Sequence, residues 1–305
     1  MNEVADAPTG TGTADSGTGR RWVRRAAPYL GVVPFTVFVV LFLLWPTYLV
    51  VTGAFKAKDG SFSTETITMV FTNETHLSAF QRSVVVSVIT AVAGSVFGAL
   101  FAWAIATGRR NGPLRRVALA GSGVFAQFGG VMLAFAFLAT FGFNGMVTMF
   151  LTERLGETFL TDASWLYGIG GLCVVYTFFQ IPLMLIVFLP AVENVRPEWR
   201  EASDGLGGST WEYWRHVAGP ILFPSFIGAA LLLFANAFSA YATAAALISQ
   251  GSPIVPLQIR GALSSETTLS NQSLGSTLAL GMVVIVALVM TAYALLQRRV
   301  GKWSQ

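Results

Sequence analysis

The sequence predicts an all-α, polytopic membrane protein with six transmembrane helices. Of its 305 residues, 54% are hydrophobic and only 11% are charged, whereas soluble domains carry about 25% charged residues. The apolar residues form six runs, and a helix needs about 20 such residues to cross the hydrocarbon core of a membrane. No run alternates apolar and polar residues as barrel strands do, and a backbone in lipid must satisfy its own hydrogen bonds, so the runs are predicted to be helices. They cover residues 29–54, 83–107, 116–140, 166–190, 221–248 and 274–296.

The first apolar run is interpreted as a retained span. The 19 residues at the N-terminus are rich in Gly, Thr, Ala and Asp and are predicted to be disordered. The run from Tyr29 to Phe55 is longer than the 7–15 apolar residues of a cleaved signal peptide. The predicted organisation is therefore a disordered basic N-terminus, a first span with an external loop, a helical core and a basic tail. These parts cover residues 1–25, 26–82, 83–297 and 298–305.

The positions of the basic residues predict the orientation of the spans. Cytoplasmic loops of membrane proteins carry an excess of Lys and Arg, and fourteen of the nineteen basic residues lie on one side of the predicted spans. Both termini, the 108–115 turn and the 193–220 loop are therefore predicted to be cytoplasmic, and the connections 55–82, 141–165 and 249–273 external. The five basic residues on the external side are Lys56, Lys58, Arg82, Arg154 and Arg260.

Composition argues against several classes of function. The one cysteine, Cys173, lies in an apolar run, so there is no disulfide framework and no Cys/His metal cluster. The net charge of +4 is accounted for by membrane orientation and does not indicate a nucleic acid partner. No Asp, Glu, Lys or Arg lies deep in a predicted span, whereas ion-driven carriers commonly place a carboxylate at membrane depth. An ion-coupled secondary carrier is therefore disfavoured but remains an alternative, as does a non-transporting membrane scaffold.

The segment 193–224 is charged and aromatic although it lies between two long apolar runs. Pro197 suits the first turn of a helix, where its missing N–H is not needed. Ser209 is a good N-cap, and Glu212 stands three residues later as in a capping box. The segment is therefore predicted to form two short helices, the second ending near His216, with a break at Gly205, Gly207 and Gly208 and with Pro220 opening the fifth span.

Two interpretations of this segment remain open. Its aromatic residues could anchor a loop at the lipid headgroups, as aromatic belts do. Alternatively, aromatic and arginine side chains are typical anchors of protein–protein interfaces, which favours a docking surface for a soluble partner. The aromatic residues are Trp199, Trp211, Tyr213 and Trp214.

The order of residues in the segment resembles the EAA loop of ATP-binding-cassette (ABC) importer permeases of the MetI-like superfamily. That pattern is Glu-Ala-Ala, three residues, Gly, nine residues, and Ile-x-Leu-Pro; here Glu201-Ala202-Ser203 is followed by Gly207 and by Val217-Ala218-Gly219-Pro220. The departures are Ser203, Val217 and Gly219, of which Gly219 removes an apolar contact. Four further segments resemble the spermidine/putrescine branch, which is itself similar to permeases for 2-aminoethylphosphonate, iron(III), thiamine and sulfate. They are Phe141-Gly142-Phe143-Asn144-Gly145, Phe179-Gln180-Ile181-Pro182-Leu183-Met184, Leu206-Gly207-Gly208-Ser209-Thr210-Trp211 and the stretch 234–243.

The resemblance covers about residues 30–303 and implies a non-catalytic subunit of a bacterial plasma-membrane importer, with five core helices and an added N-terminal helix. The loop would couple to a cytoplasmic ATPase through Glu201, Ala202, Ser203, Gly207, Val217 and Pro220. The implied partners are two ATPase subunits, a second permease that is either a different chain or another copy, an external solute-binding protein and membrane lipid. No Gly-x-x-x-x-Gly-Lys-Ser/Thr motif is present, so ATP and Mg²⁺ are expected to bind the ATPase, and this chain no cofactor.

Polar residues inside spans are candidates for the translocation pathway, because such residues often mark solute pathways. Asn236, Ser239 and Thr243 are spaced by three and four positions, which places them on one helix face. The alternative is that these residues form hydrogen bonds between helices. For the glycine pairs Gly94/Gly98, Gly129/Gly130 and Gly170/Gly171, close helix packing is the favoured interpretation. The pathway candidates are Gln127, Gln180, Asn236, Ser239, Tyr241 and Thr243.

Overall fold

The computed structural model describes residues 32–56, 61–108, 112–156, 163–248, 254–264 and 270–300. The predicted disordered N-terminus (1–25) and most of the predicted basic tail lie outside these ranges, as do Lys58, Arg109 and Arg110.

Helices account for almost all of the described residues. The first is α1, Val32–Ala54, which contains a π-helical segment at Val40–Leu44. It is followed by α2 (Glu65–Thr72), α3 (Glu74–Thr107), α4 (Pro113–Gln127), α5 (Gly130–Phe141), α6 (Met146–Leu155), a 3₁₀ turn (Ala163–Tyr167), α7 (Ile169–Glu193), α8 (Pro197–Gly205), α9 (Thr210–Ser239), α10 (Ala242–Leu247), α11 (Val255–Ser264) and α12 (Ser270–Val300).

The predicted fold class is confirmed. Six stretches of the described chain are helical, long and apolar enough to cross a membrane, and no strand longer than an isolated bridge occurs among the described residues. The chain divides into two compact units, one up to Thr52 and one from Gly53 onward. The second unit contains all helices from α2 to α12.

The second and third spans differ from their predicted bounds. Helix α3 begins at Glu74 rather than at residue 83, because the Asn73 side chain accepts a hydrogen bond from the N–H of Thr75 at 2.9 Å and caps the helix. The third predicted span, 116–140, is interrupted between α4 and α5, where Gly130 takes a positive φ of 71°. The long apolar stretch of this region is instead Gly130–Arg154. The residues before the interruption are less apolar than those after it, and the span is therefore displaced toward residue 154.

The fifth span also differs from the prediction of 221–248. Helix α9 begins at Thr210 and ends at Ser239, and Ala240 turns to an extended conformation with ψ 113°. The remaining apolar residues form the separate helix α10. This break moves Thr243 off the face that carries Asn236 and Ser239, so the prediction that the three share one helix face is wrong.

The core of the second unit is built around α7. This helix packs along α3, and both also pack against α9. Large buried side chains such as Tyr176, Leu185 and Leu233 fill the space between these helices. Helix α4 packs on α7, α10 on α5, and α12 on both α9 and α11.

Two glycines of α3 allow the close approach of α7. A Cβ at Gly98 would stand 2.4 Å from the Met184 Cβ and 2.7 Å from the carbonyl oxygen of Ile181, and a Cβ at Gly94 would stand 2.7 Å from the Gln180 Cβ. Neither neighbour at Gly98 is the end of a flexible chain, so the two helices would have to separate. The packing interpretation of Gly94 and Gly98 is therefore confirmed.

We expect Gly98→Ala to lower the stability of the purified protein by about 1–3 kcal/mol, since overpacking a filled core has that cost. The measurement is thermal unfolding in detergent. Gly123→Ala is the matched control, because nothing lies within 4 Å of a Cβ at this position in α4, and Ala is the better helix former. Equal loss of stability in the two variants would contradict the packing role of Gly98.

Helix α11 lies across the start of α3. The N–H of Val255 donates to Ser83 Oγ at 2.9 Å, and the Gln258 amide donates to the Thr75 carbonyl at 3.2 Å. Gln258 Oε1 also lies 2.9 Å from His76 Nδ1. The start of α3 and helix α11 therefore mark one end of the helical core, and the loop between α7 and α9 lies at the other.

Candidate functional site

The loop 193–220 contains a helix, α8, that is closed at its end by a glycine. The N–H of Gly208 donates to the Ser203 carbonyl at 2.9 Å, and the N–H of Gly207 donates to the Asp204 carbonyl at 3.0 Å. Gly207 has a φ of 78°. This pattern is the Schellman motif, in which a left-handed glycine satisfies the free carbonyls at a helix end. A side chain at Gly208 would collide with Ser203, since its Cβ would stand 2.7 Å from Ser203 Oγ.

The second helix of the loop begins with the predicted capping box. Ser209 Oγ accepts from the N–H of Glu212 at 3.3 Å, and Glu212 Oε2 accepts from the N–H of Ser209 at 2.7 Å. The two helices are therefore joined by only two residues outside the helices and their caps, Gly207 and Gly208. Because both ends of the connection are fixed by hydrogen bonds, the angle between the helices is set by local sequence.

The predicted end of the second helix near His216 is wrong. The helix continues through a π-helical turn, Trp214–Ala218, into the membrane span. The N–H of Gly219 donates to the Trp214 carbonyl, and a Cβ at Gly219 would stand 2.5 Å from that oxygen. Pro220 has no N–H, so it cannot donate the backbone hydrogen bond that the next position of an α-helix would make. Gly219, a departure from the EAA pattern, therefore fits the wide turn that links the loop to α9.

The tip of the loop exposes apolar side chains. Leu206 is 91% exposed and Trp211 is 71% exposed. Glu201 and Ala202 are exposed on α8, whereas Ser203 is half-buried beneath the glycine turn. Two large apolar side chains exposed within a polar loop are suited to contact another protein.

The aromatic residues of the loop differ in burial. Tyr213 is buried, with the Arg200 guanidinium 5.8 Å above its ring. The Trp214 ring meets Trp103 of α3 edge-on at 6.1 Å. Trp214 attaches the loop to the helical core, and Trp211 is the most exposed aromatic side chain of the loop.

An ion pair that the sequence analysis missed lies at the base of the loop. Arg115 at the start of α4 pairs with Glu193 at the end of α7, and both side chains are largely buried. The pair links α4 to the residue at which the loop begins. A pair 78 positions apart in sequence leaves no local signal, although a charged residue at the edge of each of two apolar runs could have suggested it.

The six pathway candidates fall into three environments. Gln180 is fully buried in the middle of α7, where its Nε2 donates to Thr90 Oγ1 of α3 at 2.8 Å. Thr243 is buried on α10 and donates to the Gly130 carbonyl at 3.1 Å. Both therefore make the contacts between helices that were the alternative interpretation.

Of the remaining four candidates, three are exposed and one is half-buried. Asn236 and Ser239 are exposed on α9, and Gln127 is exposed at the end of α4. Ser239 Oγ donates to the Ala235 carbonyl of its own helix at 2.9 Å. Tyr241 is half-buried, and its hydroxyl accepts a hydrogen bond from Arg260, a contact that the sequence analysis did not anticipate.

Comparisons with known proteins agree with the helical architecture. A family model described as "Binding-protein-dependent transport system inner membrane component" matches residues 94–302. The sulfate transport system permease protein CysW of Synechocystis sp. is 24% identical over 90% of this chain and 94% of its own length. The thiamine transport system permease protein ThiP of Escherichia coli is 28% identical over 38% of this chain, which spans 21% of that relative. A bacterial ABC transporter that imports alginate superposes with a TM-score of 0.72 over 94% of this chain and 100% of its own, at 16% identity.

Proposed function

The chain belongs to the family of binding-protein-dependent transport system inner membrane components and is the permease subunit of an ABC importer; we propose that loop 193–220 couples it to a separate ATPase during uptake of a small polar solute. The observation that carries this proposal is the exposed apolar tip, Leu206 and Trp211, held between two capped helices. A surface of this kind fits a groove in a partner protein.

The geometry of the loop suits the transmission of force. Because α9 runs without a break from Thr210 to Ser239, a displacement at its loop end moves the whole span, a rod about 45 Å long. The edge-on contact between Trp103 and Trp214 and the ion pair between Arg115 and Glu193 attach the same region to α3, α4 and α7. Closure of an ATPase dimer around the loop would therefore move these helices together.

The proposed assembly follows from the orientation. The loop and both termini face the cytoplasm, as the arginine distribution predicts, and the end that carries α11 faces outward. The partners are two ATPase subunits at the loop, a second permease subunit and an external solute-binding protein. Selectivity would then rest largely on the binding protein, since no charged side chain lies in the middle of a span to hold solute tightly.

Candidates for the solute come from the sequence resemblance and from the relatives. The sequence favours the polyamine-like branch, that is spermidine, putrescine or 2-aminoethylphosphonate, over iron(III), thiamine, sulfate or sugar. The relatives described above are permeases for sulfate and thiamine, so the polyamine-like assignment remains a prediction. All of these solutes are small and polar, in agreement with the proposed uptake.

We expect Glu201→Lys to lower ATP-driven uptake by about tenfold, because a hydrogen bond to a charged group contributes about 1.5–3 kcal/mol. Glu201 is exposed on α8 and supports no contact within the described chain, so the permease itself should fold normally. The measurement is uptake by proteoliposomes that contain the purified complex, with co-purification of the ATPase recorded for each variant.

Glu153→Lys provides the matched control, since Glu153 is also exposed but lies on α6, far along the chain from the loop. Uptake should be unchanged in that variant. Normal uptake with Glu201→Lys would contradict the coupling role, and uptake driven by an ion gradient without ATP would favour a secondary carrier. A permease that binds neither an ATPase nor a solute-binding protein would favour a membrane scaffold.

A further inference from the structure

Two interruptions of the helical core lie side by side. One separates α4 from α5 at residues 128–129, and the other separates α9 from α10 at residues 240–241. The hydrogen bond from Thr243 to the Gly130 carbonyl joins them at 3.1 Å, and Tyr176 of α7 donates to the Ala240 carbonyl at 2.6 Å. Non-helical backbone at membrane depth is tolerated where it is buried in protein or lines a water-filled cavity.

The exposed residues next to these interruptions indicate that this surface contacts water or protein rather than lipid. Asn236 and Gln127 are exposed, and neither side-chain amide has a hydrogen-bond partner among the described residues. An unsatisfied amide in hydrocarbon costs several kcal/mol. Both residues lie within one turn or so of an interruption, so this face of the subunit is suited to line the solute pathway.

Arg260 reaches the same region from α11. Its guanidinium lies 5.7 Å from the centre of the Tyr241 ring, and it donates to the Tyr241 hydroxyl. On α11, Gln258 is held by Thr75 and His76 of α3. Residues two positions apart lie on nearly opposite sides of a helix, so α11 is fixed to α3 on one side and presents Arg260 to the end of α9 on the other.

The guanidinium retains unused capacity for binding. Arginine carries five N–H donors. Among the described residues, the Arg260 guanidinium donates a hydrogen bond to Tyr241, and no carboxylate lies within ion-pair distance of it. Arg260 is exposed. A planar arginine whose orientation is fixed by an aromatic ring is suited to paired hydrogen bonds with the oxygens of an anion.

We propose that Arg260, oriented by Tyr241, contacts a negatively charged oxyanion group of the transported solute as it enters the pathway beside the two helix interruptions. This inference rests on the proposed transport function and narrows its solute to sulfates, phosphonates or carboxylates. Of the solutes that the sequence favours, 2-aminoethylphosphonate carries such a group, whereas spermidine and putrescine are cations that Arg260 would repel. Tyr241 acts as a positioning residue because it contacts the guanidinium.

The test is uptake by proteoliposomes that contain the full complex with its binding protein, using labelled sulfate, 2-aminoethylphosphonate, putrescine, thiamine and trehalose as probes. An anionic probe should be transported, and Arg260→Gln should lower its maximal uptake rate by about tenfold or more, since a charged hydrogen bond is lost. Arg260→Lys should retain part of the rate, and Tyr241→Phe should lower it less than Arg260→Gln. Co-purification of the ATPase is recorded for all three variants.

Arg154→Gln is the matched control. Arg154 is also exposed and also lies over an aromatic ring, that of Phe150 at 5.5 Å, but it is on α6 and has no tyrosine hydroxyl as an acceptor. This variant should transport at the normal rate. If Arg154→Gln and Arg260→Gln lowered the maximal uptake rate equally, the effect would arise from surface charge in general, and the proposal would be overturned.

Several other outcomes would overturn it. The proposal would fail if the complex transported putrescine, thiamine or trehalose but neither of the anionic probes. It would also fail if Arg260→Gln left the maximal uptake rate of the anionic probe unchanged. If that variant raised the half-saturating concentration of the loaded binding protein and left the maximal rate unchanged, Arg260 would belong to the docking surface for the binding protein. Loss of ATPase co-purification, by contrast, would reject the proposed function itself.

Discussion

Leu206→Glu should lower ATP-driven uptake by about a thousandfold or more, because burying leucine contributes about 1.5–3 kcal/mol, a buried unpaired carboxylate adds several more, and each 1.4 kcal/mol changes an affinity tenfold. Leu206 is 91% exposed in the isolated chain, so its contribution arises only when a partner covers it. Its backbone N–H donates to the Ala202 and Ser203 carbonyls and is unaffected by the change. The loop should therefore keep its shape and lose its docking contact.

The experiment compares uptake, ATPase co-purification and thermal unfolding in the same preparations. Leu206→Met should behave almost normally, since it retains an apolar side chain of similar volume. Leu263→Glu introduces the same charge at another exposed leucine, on α11 and 58% exposed, and should leave the ATPase bound. If Leu206→Glu retained the ATPase and transported normally, the tip of the loop would not be the docking contact.

Gln180→Glu should lower stability by about 3 kcal/mol or more, because a carboxyl group in the core has no charged partner to compensate for its burial. Gln180 is 0% exposed, and beyond its bond to Thr90 its Oε1 has no partner among the described residues. Thermal unfolding of the two purified proteins in detergent measures the difference.

Gln180→Met separates a structural role from a role in transport. It removes the buried oxygen that has no partner and loses one hydrogen bond, so stability should change by no more than about 1–1.5 kcal/mol. Uptake should remain close to normal if Gln180 only joins α7 to α3. Normal stability with strongly reduced uptake would instead return Gln180 to the translocation pathway.

Features that depend on neighbours in the sequence could be predicted from it. The number of spans and the approximate place of most of them follow from the apolar runs, because a helix satisfies its backbone within itself whatever surrounds it; the third run, 116–140, is the exception. The capping box of Ser209 and Glu212 and the break at Gly207 were also predicted, since their hydrogen bonds join residues at most five positions apart. The coupling role of Glu201 comes instead from the resemblance to the EAA loop and stays a prediction.

Predictions failed where the outcome depended on distant residues or on small departures from regular helix. The continuation of α9 through a π-helical turn and the interruptions before Gly130 and Ala242 leave no clear signal in the mostly apolar sequence around them. The six polar pathway candidates looked alike in sequence. Only the structure separates the buried Gln180 and Thr243 from the exposed Gln127 and Asn236.

The sequence by itself determined that the chain is a six-span membrane protein with a capped, motif-bearing loop, because hydrophobic length and helix capping are local properties. Only the tertiary structure decided which polar residues pack helices together and which remain free to meet a solute or a partner. The hydrogen bond from Gln180 to Thr90 spans 90 positions and that from Thr243 to Gly130 spans 113. Burial and pairing over such separations are set by how the helices pack, and a short stretch of sequence does not contain that information.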